Sequence, residues 1–300
     1  MGRAIVITSG KGGVGKTTVT ANLGTALAQL GYSVVVVDAD IGLRNLDVVM
    51  GLENRIVYHA VDAIRGKCTV AKALIKDRRL ENLWLLPTSQ SDDKDAVTPD
   101  DMKNLVRELK ATHDFVIIDC PAGIEQGFKN AIAGADEAIV VATPEVSSIR
   151  DADRVVGLLA AHDLPTRLIV NRISHQLVKR GDMLSQADVI EILALDLLGT
   201  IPLDDQIVAT TNKGVPAVLE GKSLAAKELT LIAKKISGLE VEERVGVGFF
   251  TRIGRALGLS ASHLSFHLGT LEQAGLIRSR KQARNVFYSV DAGGMGATIA

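Results

Sequence analysis

"GKGGVGKTT" (residues 10–18) decides how the rest of the chain is read. It satisfies the pattern G-x-x-x-x-G-K-[ST] at Gly10, Gly15, Lys16 and Thr17. A β-branched run, "AIVITS" (4–9), precedes it, and a helix-period stretch, "TTVTANLGTALAQLG" (17–31), follows. That is the strand–loop–helix context a phosphate loop requires. Glycines let the backbone curl until its N–H groups point at phosphate oxygens. The helix N-terminus adds partial positive charge at the same place. Gly12, Gly13, Val14 and Thr18 complete the cradle. Lys16 is expected to reach the β- and γ-phosphates, and the Thr17 hydroxyl to ligate Mg²⁺. ATP and Mg²⁺ are the cofactors this pattern predicts.

Outward from the loop, further short apolar runs read as buried parallel strands at 33–40, 83–87, 115–121, 137–143, 167–172 and 197–202. Helix-period stretches lie between many of them, at 99–112, 147–162 and 186–195. Gly31 is placed to end the first helix. Such alternation predicts an α/β fold, a doubly wound and mostly parallel sheet with helices on both faces. The expected organisation is an ATPase domain over 1–238, a linker over 239–248, an amphipathic helix over 249–257, a winged-helix-like segment over 258–291 and a tail over 292–300.

Carboxylates fall where phosphate chemistry needs them. Asp119 ends the apolar run "FVIID", where it would serve Mg²⁺ directly or through water. Asp38 and Asp40 close "VVVVDAD". Ligands in such sheets bind beyond the carboxyl ends of strands, so all three should face the loop; for Asp38 and Asp40 the plainer alternative is a turn-forming role. Lys11 is a second cation within the loop, five residues before Lys16. It reads either as an ordinary exposed loop lysine or as a lysine that offsets charge on a phosphate in the transition state, as an arginine finger does.

Composition limits the other possibilities. The 300 residues are 47% hydrophobic and 23% charged with a net charge of -1, an ordinary globular balance that gives no whole-chain argument for nucleic acid or membrane. The two cysteines, Cys68 and Cys120, match no metal spacing, and a reducing cytosol fits them best. No apolar run approaches the ~18 residues of a membrane span.

With its early lysine, "KGGVGKT" resembles the deviant Walker A ATPases. "DADIGLRNLDVVMGLENRIVYHAVDAI" (38–64), "DCPAGIEQG" (119–127) and "NRISHQLVKRGDMLSQADVIEIL" (171–193) are most similar to the MinD family within that group. The resemblance covers roughly residues 1 to 257. It implies an Mg-dependent ATPase that forms a homodimer on ATP, with Lys11 reaching the partner's nucleotide and Asp40 helping to position the attacking water. Asn171, Pro202 and Asp204 would contact the base. The dimer would sit on the anionic cytoplasmic face of the inner membrane, recruit the division inhibitor MinC, answer to the topological factor MinE and so help place the septum.

The stretch "GFFTRIGRALGLS" (248–260) admits two readings. On a helix, Phe249, Phe250, Ile253, Ala256 and Leu257 share one face of roughly 120°, opposite Thr251, Arg252 and Arg255, as an interfacial membrane helix requires. The same residues also open "IGRALGLSASHLSFHLGTLEQAGLIRSRKQARNVFYSVD" (253–291), which resembles part of an ArsR-type winged helix. In that reading Ser260 or Ser262 caps a recognition helix ending before Gly275, and Leu264, Leu268 and Leu271 form its buried stripe. The runs 276–282 and 285–290 are then wing strands, and Arg252, Arg255, Arg278, Arg280, Lys281 and Arg284 supply the charge for DNA. A partition-type, DNA-associated ATPase is the corresponding alternative function. The segment lacks the first helices and the cysteines of that second family.

Overall fold

β-branched side chains stand alternately on the two faces of a strand, so a run such as "AIVIT" can be buried on both sides only inside a sheet covered twice. The computed structural model describes residues 2–239, 245–246, 261–275, 277–282 and 285–290, which divide into units over Met1–Leu239 and Glu240–Ala300. In the first unit, β1 (Arg3–Thr8), β2 (Val34–Asp38), β3 (Ile75–Lys76), β4 (Leu83–Leu86), β5 (Phe115–Asp119), β6 (Glu137–Ala142), β7 (Thr166–Ile173) and β8 (Asp196–Pro202) form one sheet. Its order is β3-β4-β2-β5-β1-β6-β7-β8, parallel except for the β3–β4 edge pair. Each strand expected from sequence is present to within two residues. The two-residue edge strand β3 carries no pattern of its own and was not anticipated.

The helices are α1 (Lys16–Gln29), α2 (Leu46–Met50), α3 (Ala60–Ile64), α4 (Val70–Ala73), α5 (Pro99–Lys110), α6 (Gln126–Ala133), α7 (Val146–Ala161), α8 (His175–Arg180), α9 (Gln186–Leu193), α10 (Asp205–Asn212), α11 (Ala217–Glu220) and α12 (Leu224–Ile236). Gly31 follows α1 with φ +96, the left-handed geometry expected of a helix end. Ile5 and Ile7 of β1 pack in a layer with Leu23 and Leu27 of α1, Met50 of α2 and Leu229 and Ile232 of α12. Ala4 and Val6 point the other way, into a layer with Leu105 and Leu109 of α5, Phe128 of α6, Val155 of α7 and Val189 of α9. Each fully buried Val, Leu or Ile contributes about 1.5–3 kcal/mol. Across β1 and β6, Arg3 pairs with Glu137, and its Nη1 donates to Ile236 O (2.7 Å), pinning the end of α12. No helix among the described residues is long and apolar enough to cross a membrane.

The second unit contains α13 (Ala261–Gln273) and a small antiparallel sheet in the order β10-β11-β9, made of β9 (Val245–Gly246), β10 (Ile277–Gln282) and β11 (Asn285–Val290). Two expectations are corrected. Residues 239–248 are not linker throughout, because Val245 and Gly246 pair with Tyr288 and Phe287. Of the two serines read as caps, Ser262 falls within α13, which begins at Ala261, and Ser260 lies outside the described residues. The buried stripe is incomplete: Leu268 is buried but Leu271 is 37% exposed, as a unit this small has little surface with which to cover a helix. Phe249, Phe250, Ile253, Leu257 and Ser260 lie outside the described residues.

The seating of α1 on the sheet depends on Gly24, where an added Cβ would lie 2.3 Å from Val36 Cγ1. Gly24→Val should lower stability by about 1–3 kcal/mol through overpacking, more than the few tenths gained in helix propensity. A urea midpoint equal to wild type would contradict this contact.

Candidate functional site: a phosphate loop beside two buried carboxylates

Strand register assembles the site. Ile7 of β1 and Asp38 of β2 are both level with Asp119 of β5, so the chain leaves β1 for the loop beside two carboxylates. Gly13 (φ +78) and Gly15 (φ +98) take the left-handed conformation, and Gly15 delivers the chain into α1. A Cβ at Gly13 would meet nothing within 4 Å, whereas one at Gly10 would lie 2.1 Å from the Asp151 backbone of α7. Gly10 is therefore required by packing as well as by the phosphate pattern. Buried Val14 anchors the loop.

Lys16 is buried, and its Nζ donates to Ser9 Oγ at 2.9 Å. Thr17 and Thr20 both hydrogen-bond Asp119, the latter at 3.2 Å. Thr20 was not anticipated; it lies one helical turn after Lys16, on the same face of α1, which was the available signal. Lys11 is exposed, with Nζ 3.2 Å from Ser147 Oγ of its own chain.

Asp38 is buried and accepts N–H bonds from Asp40 (3.0 Å), Asn45 (3.1 Å) and Leu46 (3.1 Å), so it organises the loop into α2. Burial raises its pKa to about 6 against those bonds, with the Asp40 charge adding to the rise. Burial, and then the charge of Asp38, push Asp119 up to about 7, while Thr17, Lys16 and Thr20 oppose the shift. Two adjacent buried carboxylates with raised pKa values fit a bound cation, which would supply the missing charge. Thr17 and Asp119 are the side chains suited to Mg²⁺, which usually takes only one or two protein ligands. Asp40 is half-buried and lines a cavity of about 230 Å³ with Ala39, Pro121, Ala122 and Glu125.

A second cavity, of about 330 Å³, brings together Asn171, Pro202 and Asp204 with Gly15, Thr18 and Val208. Two of these side chains also frame the cavity. Asn171 Nδ2 donates to Val14 O (2.8 Å) while its Oδ1 accepts from Arg172 N (2.9 Å). Asp204 caps α10 through Gln206 N (3.0 Å) and accepts from Ala225 N (3.2 Å). Arg172 also lines the cavity with φ +60, a conformation its residue type gives no hint of, and it was missed. Cys120 is fully buried, and its thiol is pushed up to about 12 by burial. Among the described residues no cluster of three or more His, Cys, Asp or Glu is placed to hold a metal.

Residues 1–237 match the family described as "ParA: NUBPL iron-transfer P-loop NTPase". The septum site-determining protein MinD of Bacillus subtilis is 53% identical over 266 residues, covering 86% of this chain and 99% of that protein. The chain belongs to the MinD family. It is a P-loop ATPase of the septum-placing kind. MinD of Thermotoga maritima is 50% identical over 241 residues, covering 79% of this chain and 89% of that protein. Among solved structures, the Aquifex aeolicus MinC:MinD complex matches at TM-score 0.75 and 48% identity, covering 80% of this chain and 97% of that one. A Pyrococcus horikoshii MinD complexed with Mg-ADP matches at TM-score 0.72 and 32% identity, covering 79% and 96%. A ParA-family ATPase from Chlorobium tepidum, at 21% identity and TM-score 0.66, shares the fold alone. The partition-type, DNA-associated alternative is thus not favoured.

The carboxylate pair makes stability depend on pH. Its folded pKa values, about 6 and about 7, lie above the ordinary value of 3.8. The contribution of the pair is therefore fully present below about pH 4, is lost progressively as pH rises from there to about 7, and is level above. In the nucleotide- and Mg-free protein, Asp38→Asn should flatten the fall in Tm between pH 5 and pH 8 relative to wild type. Parallel Tm–pH curves for the two proteins would refute the pairing.

Proposed function

We propose that this chain binds Mg-ATP at the phosphate loop, pairs with a second copy on ATP, and carries that state to the membrane. Gly10 to Thr18 cradle the phosphates, with Lys16 at the β- and γ-phosphates. Thr17 and Asp119 hold Mg²⁺, which would neutralise charge on the phosphates. Asp40 orients the attacking water. The base lies in the cavity framed by Asn171, Pro202 and Asp204. Lys11 leaves Ser147 to reach the nucleotide of the partner copy. The observation that carries this reading is the exposed Lys11 in a loop whose other lysine is already buried beside Ser9 and near Asp119.

The division inhibitor MinC is the expected partner, as in the Aquifex aeolicus complex, and MinE the expected stimulator of hydrolysis. The membrane foot is assigned to the apolar residues Phe249, Phe250, Ile253 and Leu257, which would share one face if 249–257 is helical. A nine-residue helix is about 14 Å long, so one copy binds weakly and two copies in a dimer bind together by effective concentration. The protein would then alternate between the cytoplasm and the inner membrane surface.

Lys11→Ala should abolish ATP-dependent dimerisation while retaining nucleotide binding; a normal ATP dimer in gel filtration would remove the role given to Lys11. Wild type should pellet with anionic vesicles in ATP and much less in ADP, and Phe250→Glu should lose that pelleting. Undiminished pelleting of the variant would sink the membrane foot.

A further inference from the structure

Helix α2 is held at both ends. At its start, Asp38 Oδ2 accepts the N–H groups of Asn45 and Leu46. At its end, Gly51 (φ +64) lies against Gly214 (φ +64), two residues beyond α10. The two backbones touch: a Cβ on Gly51 would lie 2.6 Å from Gly214 O, and one on Gly214 would lie 2.7 Å from Gly51 Cα. Neither position has room for a side chain.

Arg79 spans this contact. Its Nη2 donates to Met50 O (2.6 Å) and its Nη1 to Gly214 O (3.0 Å). Beneath it, buried Asp77 accepts from Arg79 Nη2 (2.7 Å), Nε (3.2 Å) and backbone N (2.6 Å), and from Leu80 N (3.2 Å). Burial opposes charge on Asp77, but its bonds to Arg79 outweigh that and hold the carboxyl below its usual range. A guanidinium is a rigid fork that reaches two carbonyls and a carboxylate at once, which an ammonium cannot do in the same plane. The other partner in the clamp also belongs to the site, because Ile207 and Val208 of α10 line the candidate base cavity.

One side chain outside both cavities thus joins the wall of the base cavity to the helix that rests on Asp38. We propose that Arg79 is a positioning residue for hydrolysis: by clamping the end of α2 to the turn after α10, it fixes the Asp38–Asp40 segment relative to the bound nucleotide. The proposal rests on the ATPase reading above. Arg79 acts through α2 and makes no contact with the reacting atoms. Its loss should therefore lower turnover and leave nucleotide affinity in place.

The test is steady-state Mg-ATP hydrolysis by the full chain, with rates expressed per site titrated by a fluorescent ADP analogue, so that only nucleotide-competent molecules are counted. Arg79→Ala should lower kcat by about fivefold or more, since small misplacements of catalytic groups are costly, with KM for ATP within about twofold of wild type. Gly214→Ala, which forces the same two backbones apart, should give the same split. Arg3→Ala serves as a control that removes a helix-end hydrogen bond from the far end of the sheet; it should lower Tm and leave kcat per titrated site unchanged. An active wild type with Arg79→Ala and Gly214→Ala at wild-type kcat would overturn the proposal alone. So would variants whose kcat falls only as far as that of Arg3→Ala. An inactive wild type would overturn the ATPase reading and this proposal with it.

Discussion

The arrangement around the phosphate loop follows from one electrostatic constraint. Asp38 and Asp119 stand level on adjacent strands, both buried, where two ionised carboxylates repel each other with little water to screen them. The fold tolerates this through hydroxyls on Asp119, backbone N–H groups on Asp38 and the ammonium of Lys16 nearby. These are compensations rather than cancellation, because both pKa values remain high. A site left in that condition is poised for a cation, and the loop beside it is poised for phosphate.

Much of this was legible from residue order. β-branched runs reported the buried parallel strands because burial on both faces leaves no polar alternation to obscure them. The loop pattern reported its own conformation, since Gly13 and Gly15 sit where only glycine is comfortable. The positions of Asp38 and Asp119 followed from the ends of their strands. That they are level with each other did not, because register is a relation between strands that neither run encodes alone.

What stayed hidden was tertiary in origin. Gly10 looked like a phosphate-loop glycine, yet it also answers to the backbone of α7. Asn171 and Asp204 were read as base contacts, and both also spend hydrogen bonds on the frame of the cavity. Arg172 adopts a left-handed backbone that no propensity would assign to arginine. Arg79 sits in a polar run, "KDRRLEN" (76–82), that reads as an ordinary loop until Met50 O and Gly214 O are seen on either side of it. In the second unit, the helix and the two wing strands were read through a resemblance, but the extent of burial was not, because burial depends on how much neighbouring surface exists.

The attachment of Arg3 to Ile236 has a mechanical meaning. Tension applied to the chain beyond Leu239 would enter the first unit at the end of α12 and pass to Arg3, then to Glu137, then to Arg167, which holds the same carboxylate at 2.5 Å. Those three side chains lie on the neighbouring strands β1, β6 and β7. Load is thereby spread across the middle of the sheet, at the edge opposite the phosphate loop. The rest of such a pull would run along α12, whose Ala225 holds Asp204 at the rim of the candidate base cavity.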